Sequence, residues 1–278
     1  MKDRQTLLAE RIARQAHIDS RFVEPVWRAH VDVPLLEMSM AVPGLQLPVI
    51  LLPEMRSCAL MRMVVECFSN CGKFMVVDTA NTRFDMLRQA LGRDDVSLYC
   101  SAQNLNALNY SDEVFSHLIT EISVSSLVKF PLIFPEYARV LRPKGRLILA
   151  APLWGTFPAL FDLLDEGLCK LSPQEDDLSV VQNAMTDEAI RKCMMAHGFK
   201  IDGMEEIVFE LTFPSVEELL FSARIETSFL SYCLNFPVQH VEPKQLLMLV
   251  VRAFHHYFQK EPVTVPFRMG LYSAMKVS

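Results

Sequence analysis

The residues best placed to do chemistry are a few polar groups that close apolar runs. "VILLPE" ends on Glu54, "KFMVVD" on Asp78 and "SHLITE" on Glu121, while "LYCSA" ends on Ser101 and Ala102. An acid that closes a buried strand sits at the rim of a sheet, where a carboxylate accepts hydrogen bonds or takes a proton. Arg56 falls near a helix start, where backbone N–H groups and the dipole favour a carboxylate or phosphate. An ordinary surface arginine is the plainer reading.

The other chemically able side chains do not combine. His255 and His256 are neighbours on a helical stretch, so they point apart and cannot share a metal. His197 precedes Gly198, where a cation suits a helix end. His117 lies inside an apolar run. None has a matched Ser or Cys nucleophile and an orienting acid. The seven cysteines form no Cys-x-x-Cys pair and lie mostly in apolar periodic stretches, which reads as reduced thiols in a core. No metal site is expected.

These groups need elements to position them. "LPVILLP", "KFMVVD", "VSLYCSA" (Val96 to Ala102), "VFSHLITEI" (Val114 to Ile122) and "RLILAAP" are short, apolar and spaced by helical patterns over 54–70, 82–91 and 125–141. Strands alternating with helices predict βαβ units and a parallel sheet. "RPKG" (Arg142 to Gly145) reverses the chain from helix to strand, with Pro143 stopping the helix and Gly145 expected at positive φ. Later residues read as helices over 156–171, 174–184 and 187–197, with Thr186 as an N-cap. A bent strand or hairpin over "FKIDGMEEIVFELTF", helices over 215–235 and 243–260, and a final strand follow. Residues 1–31 read as helix interrupted at Pro25, with Leu8, Ile12 and Ala16 on one face. That segment is a cover over the sheet or, in the sharper reading, a partner-binding arm or lid.

Composition bounds the answer further. The 278 residues are half apolar, enough for one sizeable core with a helical addition. A net charge of −6 with interspersed signs argues against nucleic acid. The charged N-terminus is no signal peptide, and no apolar run reaches the roughly 20 residues of a spanning helix. A soluble, cytoplasmic protein is expected.

"EYARVLRPKGRLILAAP" is similar to the fifth-strand segment of class I S-adenosylmethionine-dependent methyltransferases, of the type 11-like subgroup that methylates small molecules. The family usually has two glycines after Arg-Pro, and Lys144 replaces the first. "LNALNYSDEVFSHLIT" resembles the approach to the family's fourth strand, with Ser116 in place of an aspartate. "AHGFKI" and "LTFPSVEELL" resemble its late helix–strand join and helical cover. The resemblance implies an α/β, Rossmann-like methyltransferase fold. That is a mostly parallel seven-stranded sheet with helices on both faces and a helical cover at about 155–197 and 215–260. Residues 1–45 would form an N-terminal helical arm and 46–278 the methyltransferase-like domain.

The same resemblance assigns roles. Asp78 would receive the cofactor's ribose hydroxyls. Ser101 and Ala102 stand where an adenine-contacting acid is usual, and Glu54 is one residue from a usual acid's neighbourhood. Thr120, Glu121 and Trp154 would line the substrate face, with Thr120 also counted with Asp78, Glu54, Ser101 and Ala102 as cofactor-binding and Glu121 the candidate base, and Tyr110 would close over an adenine. The first loop departs from the pattern. Pro53, Met55 and Ser57 replace its three glycines, and no glycine occurs between Gly44 and Gly72. Two readings therefore stand. One is a methyltransferase acting on a small molecule with S-adenosylmethionine. The other is a catalytically inactive protein of this fold that binds a partner through the N-terminal arm. A nucleotide-binding oxidoreductase is disfavoured, because its Gly-x-Gly-x-x-Gly loop is missing too.

Overall fold

The computed structural model describes residues 4–40, 48–54, 58–68, 72–78, 84, 98–171, 178–234, 242–259 and 262–277. Met55, Arg56, Ser57, the helix stop at Asn70-Cys71 and most of the helix expected over 82–91 lie outside them.

Seven strands form one sheet: β1 (Val49–Pro53), β2 (Lys73–Asp78), β3 (Leu98–Ala102), β4 (Phe115–Glu121), β5 (Leu141–Pro152), β6 (Phe199–Phe213) and β7 (Val263–Lys276). Their order is β3-β2-β1-β4-β5-β7-β6. The first five run parallel, and β7 is antiparallel to both neighbours. This is the mostly parallel seven-stranded architecture expected. β1 lies between β2 and β4, with Pro53 opposite Val77, so Glu54 and Asp78 emerge side by side at the same sheet end. Every residue of β4 is buried, which is why its sequence lacks the alternation of a one-faced strand.

Helices α1 (Arg4–Ile18), α2 (Glu24–Trp27) and α3 (Val33–Met40) form the arm, joined by π turns at Asp19–Val23 and Arg28–Asp32. Pro25 does not interrupt the run; it sits in the first turn of α2, where a missing N–H costs nothing. Ile18, Val23, Trp27, Val31 and Leu35 are fully buried. Trp27 stands edge-on to Phe209 and Phe267 at 5.4 and 5.6 Å, which seats the arm on β6 and β7. The stripe expected on α1 is not a buried face, since Ile12 is 50% exposed. Among the described side chains of the arm, Ile18 is the first that is buried.

Between strands lie α4 (Cys58–Phe68), α5 (Val124–Val128), α6 (Phe130–Val140), α7 (Pro158–Leu171), α8 (Leu178–Ala184) and α9 (Asp187–Ala196). The helix expected over 125–141 is thus two, divided at Lys129, with Pro131 in the first turn of α6. Thr186 caps α9 by accepting from the Ala189 N–H at 3.2 Å. Between the last two strands come α10 (Val216–Phe221), α11 (Ala223–Ile225), a π turn at Glu226–Leu230, α12 (Ser231–Leu234) and α13 (Pro243–Tyr257).

One local expectation is resolved, the bent strand over the hairpin, and another changes. β6 is one strand paired with β7 along its length, bent by a register shift at Ile201/Gly203 rather than folded into a hairpin. In the first residues of β5 the positive φ belongs to Lys144, at +62°. Gly145 serves space instead, because a Cβ there would lie 2.7 Å from the Arg142 carbonyl oxygen.

Candidate functional site

In an open parallel sheet the strand order reverses at a switch point, and the crevice outside the strands' carboxyl ends takes ligands. Here the switch lies between β1 and β4. A cavity of about 1180 Å³ opens there, lined by Glu54, Asp78, the 104–106 segment after β3 and Ser123, Ser125 and Ser126 after β4. Arg11 and Arg14 of α1, Phe221 of α10, and Leu247, Val251 and His255 of α13 enclose it from above.

The floor is built by backbone order. The Glu54 N–H donates to the Val77 carbonyl at 2.8 Å, which carries the β1–β2 pairing one residue past the strand. Glu54 then turns the chain at φ +50°, a conformation glycine adopts without cost. Glu54 is 4% exposed, and its carboxylate accepts from the Ser126 hydroxyl at 2.5 Å. Ser123 caps α5 through the Ser126 N–H at 3.2 Å and donates to the Ser126 hydroxyl, so Glu54, Ser126 and Ser123 form one chain.

One wall follows β3. Arg139 donates to the Leu108 and Tyr110 carbonyls at 2.9 and 2.8 Å and pairs with Glu136 and Asp112. Glu136 also accepts from the Leu108 N–H, and these bonds hold its carboxyl below the usual range. The clamp fixes the segment carrying Asn104, Leu105 and Asn106.

Of the residues singled out by sequence, Asp78 and Glu54 line the cavity together. Ser101, Ala102 and Thr120 lie outside its lining. Thr120 is fully buried and donates to the Pro53 carbonyl at 2.9 Å, bracing the end of β1. The Ser101 hydroxyl accepts from the Gln103 amide at 3.0 Å. Tyr110 packs edge-on to Phe115, and Trp154 packs against Phe161. Glu121 is buried outside the cavity and ion-paired with Arg224 of α11. The Arg224 guanidinium lies 4.3 Å above the Trp27 ring, and the Arg224 backbone N–H donates to Asp19 at 3.1 Å. Asp19 also accepts from the Ser222 hydroxyl at 2.5 Å, so one buried network ties β4, the cover and the arm.

Burial pushes the thiols of Cys193 and Cys233 up to about 11 and about 12, so neither is a nucleophile at neutral pH. Among the described residues no group of three or more His, Cys, Asp or Glu is arranged to hold a metal, and no helix is long and apolar enough to cross a membrane.

Sequence reasoning missed Asn104 and Asn106, which sit two and four residues beyond Ala102. The signal was the polar "QNLN" directly after a strand. It also missed Arg11, Arg14, Lys129 and His255, whose approach to the cavity depends on the packing of distant helices.

No protein-family model matches the sequence, and no curated protein matches it significantly. Solved structures do match the fold. A candidate methyltransferase from Bacillus halodurans superposes with a TM-score of 0.55 at 14% identity, over 88% of this chain and all of that one. Geranyl diphosphate C-methyltransferase from Streptomyces coelicolor, in complex with magnesium, geranyl diphosphate and S-adenosyl-L-homocysteine, gives 0.52 at 10% identity over 88% and 79%. The (4+2)-cyclase SpnF gives 0.52 at 12% identity over 90% and 82%. This chain has the fold of class I S-adenosylmethionine-dependent methyltransferases.

Proposed function

We propose that this protein binds S-adenosylmethionine in the cavity at the carboxyl ends of β1, β2 and β4 and methylates a small molecule. The observation that carries the reading is Asp78: an acid at the end of β2, beside the β1 turn, lining a cavity at the switch point. The residues present suit the cofactor. The Asp78 carboxylate is an acceptor that suits a ribose diol. Asn104 offers a donor and an acceptor to an adenine edge, with Leu105 available to a ring face. Glu54, an acid at the floor, suits an ammonium group. S-adenosylmethionine, when bound, supplies an electrophilic methyl group. Transfer to a good nucleophile then needs alignment and exclusion of water, which the arm and cover provide by closing over the strand ends. Glu121 is not the base in this reading, because Arg224 engages its carboxylate away from the cavity.

That same pairing favours a second reading, a ligand-binding protein of this fold without catalysis, with the arm as a surface for a protein partner. Calorimetric titration with S-adenosylmethionine and S-adenosylhomocysteine separates the two. Micromolar binding that is lost in Asp78→Ala is the expected result. Absence of binding up to millimolar concentration refutes the first reading and leaves the second.

A further inference from the structure

Three buried side chains of the cavity wall, Glu54, Ser126 and Ser123, have hydrogen bonds that all run one way. An ionised carboxylate accepts hydrogen bonds and donates none. The 2.5 Å bond between Ser126 and Glu54 therefore uses the hydroxyl proton of Ser126. Ser126 then meets Ser123 as an acceptor, and the Ser123 proton goes to Ser126 at 3.1 Å. Ser123 also accepts from the Ser126 N–H at 3.2 Å. Both hydroxyl protons are committed toward Glu54, and each hydroxyl keeps a lone pair to spare. Toward the cavity the chain can only accept, so it suits a hydrogen-bond donor and opposes a group that brings lone pairs alone.

Ser125 carries a second observation at the same wall. It lines the cavity, and its hydroxyl oxygen is buried with no hydrogen-bond partner among the described residues. A buried hydroxyl left unpaired is costly, and a polar ligand group removes that cost. The acids point the same way. Of those lining the cavity, Glu54 alone is buried, whereas Glu121, at the end of the strand that leads into these serines, is held by Arg224 outside it.

We propose that Ser123, Ser125 and Ser126, backed by Glu54, seat the methyl acceptor, and that the acceptor presents a neutral hydroxyl or amine there. This rests on the reading of the cavity as a methyl-transfer site. A hydroxyl or amine that gains a methyl group gives up one proton. The bond from heteroatom to methyl carbon forms, the bonds from methyl carbon to sulfur and from heteroatom to hydrogen break, and the chain supplies the proton's path. It runs from the acceptor to Ser123, from Ser123 to Ser126 and from Ser126 to Glu54. Each serine ends with the proton count it began with, and Glu54 ends protonated. The cofactor's ammonium is the other donor that suits this wall, and the two occupants exclude each other.

The test titrates the full chain with phenol, anisole, aniline and N,N-dimethylaniline, each with and without S-adenosylhomocysteine. Within each pair the second compound lacks the donor proton. Phenol or aniline should bind about tenfold tighter than its methylated counterpart, and the pair that shows the preference identifies the acceptor's group as hydroxyl or amine. Para-nitrophenol, which ionises near neutral pH, adds a spectroscopic reading: on binding it should lose its phenolate band, because the wall takes the protonated form. Ser126→Ala keeps the N–H that Ser123 caps but frees the Ser123 proton, so the donor preference should vanish and the phenolate band should persist. Glu54→Gln, which removes the charge that orients the chain, should do the same. Equal binding within both pairs, a preference that survives both substitutions, or para-nitrophenol bound as phenolate overturns the inference. Competition between phenol and S-adenosylhomocysteine also overturns it, by giving the wall to the cofactor's ammonium. Cofactor binding is read independently. S-adenosylhomocysteine binding without donor preference sinks only this inference. Donor preference without S-adenosylhomocysteine binding sustains the seat and removes the methyltransferase reading.

Discussion

Arg224→Met tests the network that joins arm, cover and sheet. Arg224 is 7% exposed, and its guanidinium faces the carboxylate of Glu121, a residue 2% exposed at the end of the central strand. Methionine keeps most of the stem's apolar contact but removes the charge and the contact with the Trp27 ring. Breaking a buried pair by deleting one partner costs about 3–5 kcal/mol, because the other charge is left buried. Two further acids, Asp19 and Asp32, lie close enough to Arg224 to interact with its charge, so the loss leaves a cluster of like charges and the cost belongs at the upper end. Urea unfolding followed by far-ultraviolet circular dichroism measures it. The decisive comparison is the double variant Arg224→Met with Glu121→Gln, which removes the stranded charge and should recover about half of the loss or more. A single variant within 1 kcal/mol of the parent, or a double variant no better than the single, would refute the reasoning that this pair is a buried electrostatic pin.

Three other outcomes follow from the structure. Burial, with Arg142 and Arg146 nearby, lowers His117 to about 4 from its ordinary 6.5. The folded state therefore binds fewer protons than the unfolded chain. Its stabilising contribution is complete above pH 6.5 and falls by about 3 kcal/mol as pH drops toward 4; His117→Asn should flatten urea midpoints over that window, and an unchanged slope would count against it. Lys144→Gly should raise stability by about 0.5–1 kcal/mol, since relief of left-handed strain exceeds the entropy glycine costs, whereas Gly145→Ala should lower it by driving a Cβ against the Arg142 carbonyl; thermal melts with the reverse ordering would disprove the assignment of roles. Helix α1 is held to the cover by Arg11 and Gln15 on Glu226 and by Arg14 on Glu217, with Ile12 half exposed. Exposed pairs of this kind contribute about 0.2–1 kcal/mol each and weaken in salt. Limited trypsin cleavage at Arg11 and Arg14 should accelerate at high salt while residues beyond Ile18 stay protected, and salt-independent cleavage would show that something else holds the helix.

The sheet was legible because its cause is local. Short apolar runs such as "KFMVVD" and "SHLITE", cut by helical stretches, fix strand identity and parallel sense, and the acids closing them fall at the sheet's ligand end by construction. Contacts between segments far apart in sequence were not legible. Glu121 looked like a base at a rim because a strand-end acid is all that local sequence shows; its partner, Arg224, is 103 residues away and arrives only when the cover packs. The arm misled for a related reason. Leu8, Ile12 and Ala16 have good α-helical spacing, but Ile12 is half exposed, and the arm is buried through Ile18, Val23 and Trp27, on either side of the π turn at Asp19–Val23.

The missing glycines separate into two questions that the sequence merges. Glycine gives a loop its left-handed turn, and it gives a ligand room next to the backbone. The chain retains turns of the first kind with side chains present: Glu54 holds φ +50° after β1, and Lys144 holds +62° where the resembling family has glycine. Each costs roughly 1–2 kcal/mol, an amount a core of this size absorbs. Room is a separate matter, and at the floor it is governed by which way the Glu54 side chain points. Its carboxylate is drawn to Ser126 of α5. Asp78 and Asn104 approach from β2 and the segment after β3, so their access to the cavity does not depend on the β1 turn being made of glycine. The turn at Glu54 and the polar groups of Asp78 and Asn104 come from different segments, which is why a cavity lies at the strand ends although the turn after β1 starts without glycine.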